Sequence, residues 1–150
     1  MTVGKHKQFM RRAIELARKA EGKTFPNPLV GALVVKKGKI VGEGHHEKPG
    51  SAHAEITALK KAKKSARKAS LYISLEPCAH YGKTPPCVNS IIKSGIKRVY
   101  AAMKDPNPLV NGRGLNLLRR KGIEVKVGLC RREAEKLNKV YIESIRCSQE

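Results

Sequence analysis

From Lys7 to Glu21 apolar residues recur every three or four positions, placing Phe9, Ala13, Leu16, Ala17 and Ala20 on one side. That period predicts an amphipathic helix docked on the body of a domain, with Gly22 as its C-terminal stop. Thr24-Phe25-Pro26-Asn27-Pro28 breaks the period. Each proline ring fixes φ and removes an N–H, so this segment predicts an extended loop. Leu29 to Val35 is an apolar run rich in β-branched residues, Lys36 to Lys39 is polar around Gly38, and Ile40 to Gly44 turns apolar again. Two such runs around a glycine turn predict a hairpin. Ala52 to Lys64 returns to the helical period, with Ala54, Ala58, Leu59 and Ala62 on one face, and Ala69 to Leu75 predicts a strand.

The second half repeats the alternation. Glu76 to Pro86 is a polar loop, and Val88 to Ser94 predicts a short helix with Cys87 at its start and Gly95 as its stop. Arg98 to Ala102 reads as a strand, and Asp105-Pro106-Asn107-Pro108 as a second proline-fixed loop. Leu115 to Lys121 reads as a helix, Ile123 to Val127 as a strand, and Arg132 to Ile145 as one final helix. Strands alternating with helices after an opening hairpin predict an α/β fold, a three-layer α/β/α sandwich around a mixed five-stranded sheet. No internal repeat or low-complexity linker divides residues 1–150, so one domain is expected.

Composition changes this picture in three places. With no Trp, two Phe and 4% aromatic residues, the core has to be aliphatic. No stretch reaches the roughly 18 apolar residues of a membrane span, and no apolar run follows the basic N-terminus as in a secretory signal. The expectation is a cytoplasmic chain with no membrane partner, in which four cysteines favour metal ligation over disulfides. The net charge of +20, from 32 Lys and Arg against 12 Asp and Glu, is the footprint of phosphate binding and supports a nucleic-acid partner as the alternative reading. Against it, the charge is spread over Lys5–Arg12, Lys60–Lys68, Arg113–Lys121 and Arg131–Lys139, on the outer faces of expected helices, where a solvated surface is the simpler account. Aromatic residues for base stacking are also scarce.

The chemistry concentrates at His53-Ala54-Glu55, Pro77-Cys78 and Cys87. Taken singly, His53 reads as a satisfied core histidine and either cysteine as a small buried hydrophobe. Together they are an imidazole and two thiols near the expected starts of two helices, where unpaired N–H groups and the helix dipole favour thiolate. A structural zinc ion takes four protein ligands, and Cys130 or Cys147 is the available fourth in that reading. A catalytic zinc ion takes three and leaves its fourth position to water, whose pKa it brings near neutrality. Glu55, two residues beyond His53, then has a purpose as acid and base. Zinc-dependent nucleobase deaminases divide the labour in this way, with a glutamate that is not a ligand.

Five segments carry a resemblance across almost the whole chain: MRRAIELARKAEG at Met10–Gly22, PNPLVGALVV at Pro26–Val35, GEGHHEKPGSAHAE at Gly42–Glu55, LEPCAHYGKTPPC at Leu75–Cys87 and DPNPLVNGRG at Asp105–Gly114. The chain resembles the cytidine-deaminase-like superfamily and, within it, the diaminohydroxyphosphoribosylaminopyrimidine deaminases of riboflavin biosynthesis. Eight residues separate Cys78 from Cys87, whereas deaminases acting on nucleic acids and free nucleosides generally carry the tighter Pro-Cys-x-x-Cys. The resemblance implies Zn2+ on His53, Cys78 and Cys87, and Glu55 as proton shuttle. It implies Asn27, His46, His80 and Lys83 on the pyrimidine and its polar edge, with Asp105 and Asn107 toward the ribosyl-phosphate side. Plainer roles exist for some of these: Asn27 and Asn107 stand between prolines as turn residues do, and His46 beside His45 reads as a surface histidine. The implied reaction removes the 2-amino group of a phosphorylated diaminopyrimidine as ammonia. A homo-oligomer is implied too. In many bacteria a reductase is fused after this domain, so a chain ending at Glu150 is expected to be a stand-alone deaminase or an excised domain, with the reductase separate.

Overall fold

A computed structural model describes residues 1–79 and 86–148. The first helix, α1 (Val3–Arg18), begins earlier than its apolar period suggests because Thr2 caps it: the Thr2 hydroxyl accepts a hydrogen bond from the Lys5 N–H at 3.2 Å. It ends before Glu21, and turns lead on to Gly22, which sits at φ 82°. The hairpin strands are β1 (Gly31–Lys36) and β2 (Lys39–His45), followed by β3 (Ser70–Ile73), β4 (Arg98–Ala101) and β5 (Glu124–Val127). They form one sheet in the order β2-β1-β3-β4-β5. Strand β1 runs antiparallel to both its neighbours, and β3, β4 and β5 run parallel. The expected mixed five-stranded sheet is present.

Alternation along the strands builds two cores. Ala32, Val34, Leu71, Ile73, Val99 and Ala101 face a layer holding α2 (Ala54–Ala62), α3 (Cys87–Ser94) and α4 (Arg113–Arg120). Leu33, Val35, Tyr72 and Tyr100 face α1, α5 (Arg131–Leu137) and α6 (Lys139–Ser148). Because β3 and β4 are parallel, the segments leaving their carboxyl ends, 74–78 and 102–107, emerge side by side. Glu76 donates its N–H to the Met103 carbonyl at 3.0 Å across them. Crevices outside the carboxyl ends of such strands are where open α/β sheets place their ligands.

The single helix expected from Arg132 to Ile145 is instead two, α5 and α6, broken at Asn138, whose φ of −103° and ψ of 26° leave the helical region. The cause is tertiary. The Asn138 side chain accepts from the Leu29 N–H and donates to the Leu29 carbonyl, both at 2.8 Å, and so is spent on another segment.

Helix α2 lies unusually close to β2. A Cβ at Gly44 would stand 2.4 Å from the Ala54 carbonyl oxygen and 2.8 Å from the Ala58 nitrogen, both backbone atoms that cannot swing aside. Gly44→Ala is therefore expected to push α2 off the sheet and to cost about 1–3 kcal/mol. Gly4→Ala, whose new methyl meets only the Thr2 hydroxyl at 3.9 Å, is expected to be neutral or stabilising. Thermal melting of the two variants checks this, and equal melting temperatures would contradict it.

Candidate functional site

His53 is the N-cap of α2, with extended backbone (φ −69°, ψ 157°) and no side-chain capping bond, which leaves its imidazole available to other partners. Its Nδ1 lies 3.0 Å from the Cys87 Sγ and 3.9 Å from the Cys78 Sγ. Cys87 opens α3, and its N–H donates to the Cys78 sulfur at 3.2 Å, so Cys78 sits on the positive end of that helix. All three ligand atoms lie within 4.8 Å of one another. A hydrogen bond from the Cys87 thiol, with His53 nearby, holds the Cys78 thiol down at about 4, while the Cys87 thiol is pushed up by donating that hydrogen bond to Cys78 and by burial.

Zn–S bonds of about 2.3 Å and Zn–N bonds of about 2.0 Å put tetrahedral ligand atoms about 3.5–3.8 Å apart. The two nitrogen–sulfur separations bracket that range, and one imidazole with two thiolates suits zinc, so the donor set fits the metal. Among the described residues no other His, Cys, Asp or Glu joins the cluster. Cys130 starts α5 with its thiol toward the Lys7 carbonyl at 3.9 Å, packed with the opposite core, and Cys147 is exposed on α6. Neither supplies the fourth ligand of a closed site.

Glu55, in the first turn of α2, is 3% exposed. Burial pushes its carboxyl up to about 7, partly offset by a hydrogen bond from its own N–H, by the nearby His53 and by a bond to the Cys87 thiol. His53, Glu55 and Cys78 line a cavity of about 670 Å³.

One wall of that cavity holds Asn27 and His46. His46 is 4% exposed, which corrects its reading as a surface histidine. Its Nδ1 lies 3.3 Å from the Ala52 carbonyl and its Nε2 lies 3.2 Å from Asn27 Nδ2. An oxygen acceptor at one nitrogen and an amide donor at the other select the neutral ring protonated on Nδ1. Burial accordingly lowers the His46 pKa. The ring meets that of His53 edge-on at 5.5 Å. Asp105 and Asn107 line the same cavity. Asn107 does serve its turn, accepting from the Leu109 N–H at 3.0 Å, and it also lines the cavity. Asp105 Oδ1 accepts from the Asn107 N–H at 3.0 Å and from the Tyr141 hydroxyl at 2.7 Å. His80 and Lys83 lie outside the described residues.

Two cavity-lining residues carry no mark in the sequence pattern. Tyr141, on α6, shows only as one of four tyrosines in an aromatic-poor chain. Glu76, 4% exposed, accepts from the backbone N–H groups of Asp105 (3.1 Å) and Gly112 (2.8 Å) on one oxygen, and of Gly114 (3.1 Å) and Leu115 (3.4 Å) on the other. A lone carboxylate between Leu75 and Pro77, two residues before a candidate ligand, is the signal that could have found it.

Residues 3–103 match the family described as the cytidine and deoxycytidylate deaminase zinc-binding region. The chain is similar to the riboflavin biosynthesis protein RibD of Bacillus amyloliquefaciens, 59% identical over 92% of this chain and 37% of that protein. It is similar to the diaminohydroxyphosphoribosylamino-pyrimidine deaminase of Buchnera aphidicola, 51% identical over 95% of this chain and 97% of that one. Among solved structures, RibD of Acinetobacter baumannii superposes with a TM-score of 0.93 at 44% identity, covering 96% of this chain and 40% of that one. The chain thus spans well under half the length of the Bacillus relative and nearly all of the Buchnera one.

Proposed function

The chain belongs to the cytidine and deoxycytidylate deaminase family, and on that premise we propose that it hydrolyses the 2-amino group from 2,5-diamino-6-(ribosylamino)-4(3H)-pyrimidinone 5′-phosphate in riboflavin biosynthesis. The observation that carries the reading is the His53–Cys78–Cys87 cluster, two members of which, His53 and Cys78, line one cavity together with buried Glu55. The Buchnera relative, matched along nearly its whole length, supports the choice of substrate.

His53, Cys78 and Cys87 would hold zinc, which when bound supplies a Lewis acid and a water acidic enough to attack at neutral pH. Glu55 takes a proton from the attacking water and delivers it to a ring nitrogen, then takes the second proton from the oxygen now bonded to the ring carbon and delivers it to the departing amine. An amine leaves poorly unless protonated, so the C–N bond breaks as ammonia forms and a ring carbonyl replaces it. Burial disfavours the charged form of the Glu55 carboxyl, so it gives up a proton less readily than an exposed carboxylic acid and can both accept and return one during the reaction. Asn27 and neutral His46 present polar atoms to the pyrimidine edge, and Asp105 and Asn107 face the ribosyl-phosphate side. The basic chain suits an anionic substrate. A reductase that consumes the product and a second copy of the chain are the protein partners this reading carries. No helix among the described residues is long and apolar enough to cross a membrane.

The test is ammonia release from the freshly prepared pathway intermediate, with cytidine and a tRNA as comparison substrates. Rapid release from the intermediate alone is expected. Faster release from tRNA, falling steeply with salt, would replace this reading with that of a nucleic-acid deaminase.

A further inference from the structure

Glu76 caps a helix that is not its own. Helix α4 begins after Gly112, which sits at φ 89° and has no side chain to cap with, so the first N–H groups of the helix need an acceptor from elsewhere. The Glu76 carboxylate supplies it, taking the N–H groups of Gly112, Gly114 and Leu115. The same carboxylate takes the Asp105 N–H, so residues 105 and 112, the two ends of the loop that presents Asn107 to the cavity, close on one buried anion. A charged acceptor on four backbone donors is a strong and directional fixture. Contact on the other side is equally tight, because a Cβ at Gly114 would stand 2.2 Å from the Pro77 carbonyl oxygen. Cys78 follows Pro77 directly.

We propose that Glu76 is a positioning residue that locks the Asp105–Asn107 loop to the turn bearing Cys78, and so sets the distance at which the ribosyl-phosphate side of the substrate is gripped relative to the bond being broken. The inference rests on the proposed deaminase function. It assigns Glu76 an effect on substrate affinity, transmitted through the loop, with no contact to the reacting atoms.

Glu76→Gln and Glu76→Asp test it. The glutamine keeps size, but its NH₂ replaces one acceptor oxygen and faces two backbone donors. Aspartate keeps the charge with a shorter reach. The expected result is a KM raised about tenfold or more in Glu76→Gln and by less in Glu76→Asp, with kcat within about threefold and zinc content unchanged. In an Asn107→Ala background the same Glu76→Gln change is expected to raise KM by clearly less than in the wild type, because one of the loop contacts it acts through is already lost. A fall in kcat and melting temperature at unchanged KM would mean a purely structural role and overturn the proposal, as would additive effects with Asn107→Ala. If Glu76→Gln does not fold, Glu76→Asp decides alone: a raised KM at unchanged kcat supports the proposal, and an unchanged KM overturns it. A wild type that releases no ammonia defeats the functional reading and this inference with it, whereas an active wild type with unaltered KM in the variants defeats this inference only.

Discussion

Glu55→Gln is expected to keep the fold and its zinc and to lose about 10²- to 10⁴-fold in turnover, the range that a positioned general acid–base contributes. The reasons lie in the site. Glu55 is 3% exposed, so bulk water has little access to replace it as a proton carrier. Glutamine matches glutamate in size and shape, so size and position are kept while the capacity to carry a proton is removed. Burial also disfavours the charged form of Glu55, so a neutral amide there is not expected to lower the melting temperature. Single-turnover kinetics on the pathway intermediate, with metal analysis of the same preparation, make the measurement. Activity within about tenfold of wild type, roughly 1.4 kcal/mol in the barrier, would show that another group moves the proton.

What could be read from the sequence follows a physical division. The core face of α2 was legible because Ala54, Ala58, Leu59 and Ala62 form one stripe at helical spacing. Strand β1 showed instead as a continuous apolar run because it buries both faces, Ala32 and Val34 on one and Leu33 and Val35 on the other. The cluster of His53, Cys78 and Cys87 was legible because few residue types bind zinc and the chain holds only five His and four Cys. Features fixed by long-range backbone contacts left no such trace. The apolar spacing of Ala134, Leu137, Tyr141 and Ile142 runs on across Asn138, yet the helix breaks there because the Asn138 amide is bonded to Leu29, far away in sequence. Glu76 binds four backbone N–H groups, which every sequence possesses, so its partners announce nothing. His46 looked exposed beside His45 until the end of β2 placed it between Ala52 and Asn27. Turn and cavity roles were also not alternatives at Asn107: its carbonyl oxygen closes the turn while the residue lines the cavity.

Removing one cysteine of the cluster should separate sharply from removing one outside it. Cys87→Ala is expected to bring zinc below about one tenth per chain, since two remaining protein ligands are too few for a stable zinc site. Changes one shell further out already cost about 10- to 100-fold in affinity or activity, so loss of a direct ligand is expected to abolish measurable turnover. Cys78→Ala should behave the same way, and it also removes the sulfur that accepts the Cys87 N–H at the start of α3. Cys130→Ser and Cys147→Ser are expected to keep one zinc per chain and activity within about twofold, because neither thiol belongs to the cluster. Metal analysis after dialysis, with circular dichroism to confirm folding, reads all four variants. The result that would undo the open, three-ligand site is zinc loss in Cys130→Ser or Cys147→Ser equal to that in Cys87→Ala. Such a site would be closed by four protein ligands, with no position for a water, and Glu55 would then have no proton to carry.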